Sequence, residues 1–168
     1  MLCALKTVKH GNCYKLHLKY TANVFIERKN RLTILYSQDC DAINWAELKA
    51  ELIQDEFHNN RTTEQLRTSF ANSFISVFAI EDKRCIGTAR ALSDEVCNSY
   101  VVDVWTQSAF RGRGIASRMM QIIYDAVPGQ HIYLQTDDAV AFYEKLGYQK
   151  QPEGLFKISG EWLNHKRR

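Results

Sequence analysis

Several things are scarce in this 168-residue sequence. No stretch approaches the roughly 18 consecutive apolar residues of a spanning helix, and the N-terminus lacks the apolar core of about 7 to 15 residues that a secretory signal needs. The first 27 residues hold no serine and no arginine, so they do not read as a transit peptide. Five cysteines (Cys3, Cys13, Cys40, Cys85, Cys97) are scattered and never spaced C-x-x-C. That points away from a disulfide framework and from zinc, and no metal is expected. Basic side chains exceed acidic ones by only 22 to 19, too few to imply a nucleic-acid or membrane partner. Neither a Walker loop nor a G-x-G-x-x-G fingerprint is present, and no repeat or low-complexity linker divides the chain. A cytoplasmic protein of a reducing compartment is the expectation.

What is present fits one compact domain, with 45% apolar residues and 11% aromatics to close a core. Charge is uneven along it. Residues 1 to 31 carry Lys6, Lys9, Lys15, Lys19, Arg28, Lys29 and Arg31 against Glu27 alone, a net +6 that leaves −3 for the rest of a chain totalling +3. We therefore divide the chain into a basic N-terminal extension, 1 to 31, and a main domain, 32 to 168. From Tyr14 to Tyr20 apolar and basic residues alternate strictly, the pattern of an edge or hairpin strand packed on the domain, turning at Ala22-Asn23.

A strand over 32 to 36 comes next. Trp45, Leu48, Leu52 and Ile53 recur at helical spacing behind Asn44 and Glu47, predicting a helix from about Asn44 to Phe57 opened by a capping box. Thr62 and Gln65 repeat the device ahead of Leu66 and Phe70. The polar link from His58 to Arg61 is a place for a substrate loop. Strands follow at 74 to 80, 85 to 92 and 99 to 106, with turns at Asp82-Lys83 and Ser93-Asp94 short enough for antiparallel pairing. Ile115, Met119, Ile122, Ile123 and Ala126 mark a helix stopped at Pro128-Gly129. HIYLQ (131 to 135) is a strand, and Ala139, Phe142, Tyr143 and Leu146 make a last helix, capped by Asp137 or Asp138 and ended by Gly147, before final strands. The order is that of an α+β domain with a mixed, mostly antiparallel sheet flanked by helices.

Between a strand and a helix lies FRGRGIAS (110 to 117). Gly112 and Gly114 in such a turn present backbone N–H groups that no helical carbonyl satisfies, and groups of that kind bind phosphate. Arg111 and Arg113 add charge. A solvated turn explains the same residues; an RNA-binding RGG tract fits poorly ahead of a strongly amphipathic helix.

Read together, VVDVWT, FRGRGIA, the amphipathic helix, IYLQT and AVAFYEKLGY resemble the GCN5-related N-acetyltransferases, the GNAT superfamily. The resemblance extends through CIGTARALSD and QPEGL, covering about residues 32 to 158. Within the superfamily it is nearest the bacterial, cyanobacterial and plastid arylalkylamine (serotonin) or lysine acetyltransferases. It implies acetyl-CoA as cosubstrate, with its pyrophosphate on the amides of Arg111, Gly112, Arg113, Gly114, Ile115 and Ala116; Ala116 stands where the family often has glycine. It also implies that the main chain of Val104, Trp105 and Thr106 pairs with the pantetheine arm and polarises the thioester carbonyl. Thr136 replaces an asparagine that many members use on CoA.

Tyr143 matches the tyrosine that the family uses to protonate the departing thiolate, though its place in an apolar stripe equally suits core packing. Asp103, inside an apolar strand, on the face of Trp105 and opposite Val102 and Val104, is a candidate base or amine anchor; a structural ion pair with Arg90 explains it as well. Tyr100 and Trp105 could line an acceptor pocket, and His131 has a lesser claim as base. The function implied is acetyl transfer to a primary amine in a ternary complex. The acceptor is a small amine or a protein lysine, and a homodimer stays open. Two alternatives remain: a non-catalytic CoA-binding or regulatory module, and a nucleic-acid or acidic-partner contact through the N-terminal extension and the Lys166-Arg167-Arg168 tail.

Overall fold

The computed structural model describes residues 25–29, 32–151, 154, 155, 157, 159 and 163. Six strands join in chain order into one sheet: β1 (Phe25–Lys29), β2 (Leu32–Ser37), β3 (Ile75–Glu81), β4 (Arg84–Ser93), β5 (Asn98–Thr106) and β6 (His131–Tyr133). Neighbours are antiparallel from β1 to β5, whereas β6 lies parallel to β5. Parallel neighbours need a crossover, and the helix between them supplies it. The helices are α1 (Trp45–Gln54), α2 (Thr63–Ala71), α3 (Ile115–Ala126) and α4 (Val140–Lys145). The strand expected over 14 to 20 lies outside the described residues. Beyond Gly147, where closing strands were expected, no described residue is in a strand.

Alternation along the strands gives the sheet two apolar faces. On one, Val77, Ala89, Ala91 and Val101 meet Ile115, Met119, Met120 and Ile123 of α3. On the other, Phe78 and Trp105 lie under Trp45, Leu48 and Leu52 of α1 and Leu66 and Phe70 of α2. Local chemistry sets several boundaries. Asp82 and Lys83 have φ of 46° and 68°, the paired left-handed residues of a tight hairpin between β3 and β4. Thr62 and Gln65 close a full capping box on α2. After α4, the Gly147 N–H donates to the Glu144 carbonyl and the Tyr148 N–H to the Tyr143 carbonyl, with Gly147 at φ 91°. This is a Schellman ending, and the Tyr143 and Tyr148 rings meet across it with centroids 5.6 Å apart.

Four local expectations are corrected. Asn44 accepts from the Glu47 N–H, but the Glu47 carboxylate pairs with Arg84 instead of completing a box. α1 ends at Gln54, short of Phe57, because Asp55 is its C-cap and turns its carboxylate to the loop beyond β5. β6 stops at Tyr133 rather than at 135. α4 starts at Val140, and the hydroxyl of Thr136, not Asp137 or Asp138, takes the free N–H of Ala139 at 3.0 Å.

Candidate active site

β5 carries the site because it is irregular in the middle. Thr88 faces Trp105 across the β4–β5 ladder, yet Arg90 faces Val102, so two residues of β5 stand against Ala89 alone. The inserted residue is Asp103, at φ 53°, a left-handed conformation that aspartate tolerates better than most side chains. The bulge corrects the expected alternation. Val102 faces Arg90 and so shares Asp103's side of the sheet. Val104 turns to the α3 core and Trp105 to the α1–α2 core.

The bulge also aims the main chain. Gln107 donates its N–H to the Ile86 carbonyl, so by the alternation of an antiparallel ladder Trp105 also bonds toward β4, and Val104 and Thr106 turn their amides to the opposite edge. On that edge β6 pairs only with Asn98, Ser99 and Tyr100. The strand edge from Val104 to Thr106 therefore lies past the end of its partner. The Thr106 hydroxyl is buried there with no partner among the described residues, while its carbonyl accepts from Arg111 Nε at 3.1 Å.

A short 3-10 turn leads from this edge into the glycine loop. Gly112 and Gly114 have φ of 76° and 82°, and a Cβ built on either would meet nothing within 4 Å. Glycine is thus needed for conformation, and the space above the loop is open. Gly114 is the N-cap of α3 and offers no side chain, which leaves the first amides of a twelve-residue helix uncapped. The arginines turn away from them. Arg111 reaches Asp55 Oδ2 at 3.3 Å, and Arg113 donates to the Ala109 carbonyl and lies 4.8 Å from the Phe110 ring centroid. Ile115 is buried in the α3 core and Ala116 packs at its margin.

Asp55, which gave no sequence signal, holds the loop's approach. It accepts from Trp105 Nε1 at 2.9 Å, Ser108 N at 2.8 Å and Ser108 Oγ at 2.7 Å. Burial works against its charge, but these bonds and Arg111 outweigh it and hold the carboxyl below its usual range. Glu51, one turn earlier, joins Arg84 at 2.5 Å and also bonds Gln107.

Asp103 is a member of an ion cluster. Its oxygens accept from Arg61 Nη1 and Nη2 at 2.9 Å each and from Arg90 Nε at 2.6 Å. The expected partner Arg90 is therefore joined by Arg61, from the α1–α2 link. Asn59 accepts from Arg61 Nε at 2.7 Å, and Ser73 Oγ accepts from Arg90 Nη1 at 3.1 Å. Burial raises the tendency of Asp103 to hold a proton, yet the Arg61 bonds and the two positive charges prevail and lower its pKa.

Tyr143, 8% exposed, sits on α4 between Phe142 and Tyr148. Burial pushes its phenol up to about 12. It shares with Thr136, Tyr124 and Tyr148 an open groove of about 1320 Å³ that does not include the glycine loop. The hydroxyls of Tyr124 and Tyr148 are buried there beside one another, and burial pushes both phenols up. His131 is exposed at the start of β6, its Nδ1 3.4 Å from the Tyr133 hydroxyl. Tyr100 donates its hydroxyl to Gln135 Oε1 at 3.2 Å.

An open strand edge and an open glycine loop follow one another at the C-terminal end of β5, and a buried tyrosine stands on α4 beside a separate groove. An N-acetyltransferase from Pyropia yezoensis, itself uncharacterised, is 24% identical over 85% of this chain and 78% of its own. A histone acetyltransferase from Glycine max is 26% identical over 69% of the chain, which spans about half of that protein, 51%. Among solved structures, a GNAT family acetyltransferase from Streptococcus pneumoniae superposes with a TM-score of 0.63 at 18% identity, covering 77% of this chain and 99% of that one. A predicted acetyltransferase from Clostridium acetobutylicum, solved with acetyl-CoA, gives 0.60 at 22% identity over 74% and 96%. At such identities the structures establish the fold. A family model described as "Acetyltransferase (GNAT) family" matches residues 38–148, two thirds of the sequence, and the chain belongs to that family.

Proposed function

We propose that the protein transfers the acetyl group of acetyl-CoA to a primary amine by direct attack in a ternary complex. One observation carries the reading: the unpaired edge of Val104 and Thr106 runs straight into a glycine loop whose amides are uncapped and whose upper side is open. Acetyl-CoA supplies an activated thioester. The amides of residues 112 to 116 hold its pyrophosphate, that of Arg111 being spent on the Ser108 carbonyl at 3.3 Å, and the backbone from Val104 to Thr106 aligns its arm as an added strand. A main-chain N–H on that edge is the donor to the thioester oxygen. Thr136 already spends its hydroxyl on Ala139, which leaves its main chain as the better contact. Arg111 and Arg113 serve mainly to pin the loop.

Tyr143 is the proton donor to the departing thiolate. A phenol held near 12 stays protonated at neutral pH, and a thiolate whose conjugate acid has a pKa of about 8.5 can accept its proton in a desolvated contact. Asp103 is a positioning residue in this scheme and not the base: a carboxylate locked between two guanidiniums is a weak proton acceptor. The attacking amine loses one proton to solvent and attacks as the neutral form; the proton that its nitrogen sheds as the C–S bond breaks returns through solvent to the Tyr143 oxygen. Both small amines and protein lysines suit the chemistry; the Glycine max relative is named a histone acetyltransferase. An Arabidopsis thaliana relative is named chloroplastic, so a plastid stroma serves the reading as well as a cytoplasm does. The test is acetyl-CoA consumption against a panel of arylalkylamines, polyamines, amino acids and lysine peptides. Acetyl-CoA binding with no amine acetylated would support the non-catalytic module instead.

A further inference from the structure

The acceptor side of β5 holds more positive charge than its carboxylate balances. Arg61 and Arg90 face Asp103 with side chains 9% and 13% exposed, and Asp103 itself is 15% exposed. Among the described residues, Asp103 is the one carboxylate in hydrogen-bond contact with either guanidinium. Two guanidiniums thus share one carboxylate on this face. Buried charge is costly unless paired, and a cluster left with surplus cations is poised for an anionic ligand.

Its position ties the surplus to the reaction. Asp103 immediately precedes Val104, so the cluster begins one residue from the strand edge assigned to the thioester. Register places Leu92, Tyr100 and Tyr133 on the same face, running outward from Arg90. Leu92 and Tyr133 are exposed, 44% and 45%, which leaves this end of the face open. We propose that the acceptor amine carries a second, anionic group, a carboxylate or a phosphate ester, which docks on Arg61 and Arg90. The proposal rests on the acetyltransferase reading and narrows its acceptor class. The same field disfavours a second positive charge beside it, so a bound ammonium loses its proton more readily and no protein base is required.

The test compares four primary amines of similar length: n-butylamine, γ-aminobutyrate, O-phosphoethanolamine and putrescine. The anionic acceptors should exceed butylamine at least tenfold in kcat/KM, and putrescine should be the poorest. The two anionic arms distinguish carboxylate from phosphate. Arg90→Gln leaves the bidentate Arg61–Asp103 pair whole; it should raise KM for the anionic acceptor at least tenfold more than KM for butylamine, and Arg90→Lys, which keeps the charge, should restore most of that difference. Equal losses for all acceptors, or a preference for putrescine or butylamine, would overturn the proposal. Calorimetric titration of O-phosphoethanolamine and γ-aminobutyrate into the CoA-saturated protein needs no turnover. Binding of either that weakens in Arg90→Gln would sustain the anion site even if every amine failed as a substrate, and no binding of either would end it.

Discussion

Replacing Asp103 by asparagine removes the negative charge between Arg61 and Arg90 and little else. Asparagine tolerates the left-handed backbone of the bulge, so the φ of 53° adds no new strain. The amide oxygen can keep one of the bonds now made at 2.6 and 2.9 Å, but the NH2 group opposes a guanidinium. Removing one partner from a buried ion pair costs about 3–5 kcal/mol, and with the side chain 15% exposed the lower end applies, about 3 kcal/mol. For a domain of this size that is a fall in Tm of about 6–12 °C. Urea denaturation at low ionic strength measures it without the screening a guanidinium salt would add. The folded pKa of Asp103 is depressed, so its stabilisation is complete above the unfolded value of about 3.9 and is lost as pH falls through the folded value. The curves of wild type and variant should converge in strong acid. A loss under about 1 kcal/mol at neutral pH would refute the reasoning, since desolvation would then cancel the pairing. Under conditions where the variant is folded, turnover should persist; a fall in kcat of about a hundredfold or more would return Asp103 to the role of base.

Tyr143→Phe should lower kcat about a hundredfold or more and leave acetyl-CoA affinity nearly unchanged, read by steady-state kinetics beside calorimetry. Because burial holds the phenol near 12, wild-type kcat should show no falling limb centred near the ordinary tyrosine value of about 10, and such a limb would contradict the assignment. Gly114→Ala places a Cβ where φ is 82° and no atom lies within 4 Å, so its stability cost is the backbone strain alone, about 1–2 kcal/mol, while acetyl-CoA binding should weaken at least tenfold. Unchanged binding would show that the loop is no cradle. Gly87→Ala sets a Cβ 3.1 Å from Met119 Cε and 3.2 Å from the Trp105 carbonyl. The methionine can shift and the strand cannot, which predicts a loss of about 1–3 kcal/mol, visible in thermal denaturation, and a lower kcat through the displaced edge of β5.

Much of the fold could be read from neighbours in sequence, because the forces involved act over a few residues. Apolar spacing marked α1, α2 and α3, and the Thr62–Gln65 pair located the start of α2. Gly112, Gly114 and Gly147 stand where a left-handed backbone is required, and that requirement is carried by the residue itself. Boundaries drifted where a side chain found a better partner at a distance: Glu47 left its cap for Arg84, and Asp55 ended α1 by bonding Ser108. In the candidate site, the Gly112–Gly114 turn and the apolar stripe that buries Tyr143 were readable from spacing, their roles resting on resemblance alone. Arg61 and Asp55 were not, since nothing local marks an arginine in a polar link or an aspartate at a helix end.

The sequence by itself determined most of the elements and where the left-handed glycine turn before α3 falls, since propensity, periodicity and glycine's freedom are properties of short segments. Only the tertiary structure decided what Asp103 does. Its partner Arg61 lies 42 residues away, and the bulge that turns Asp103 toward it exists only because β4 is one residue short opposite. A charge in an apolar strand can be seen in the sequence; whether it stays free to take a proton depends on the guanidiniums that folding brings to it.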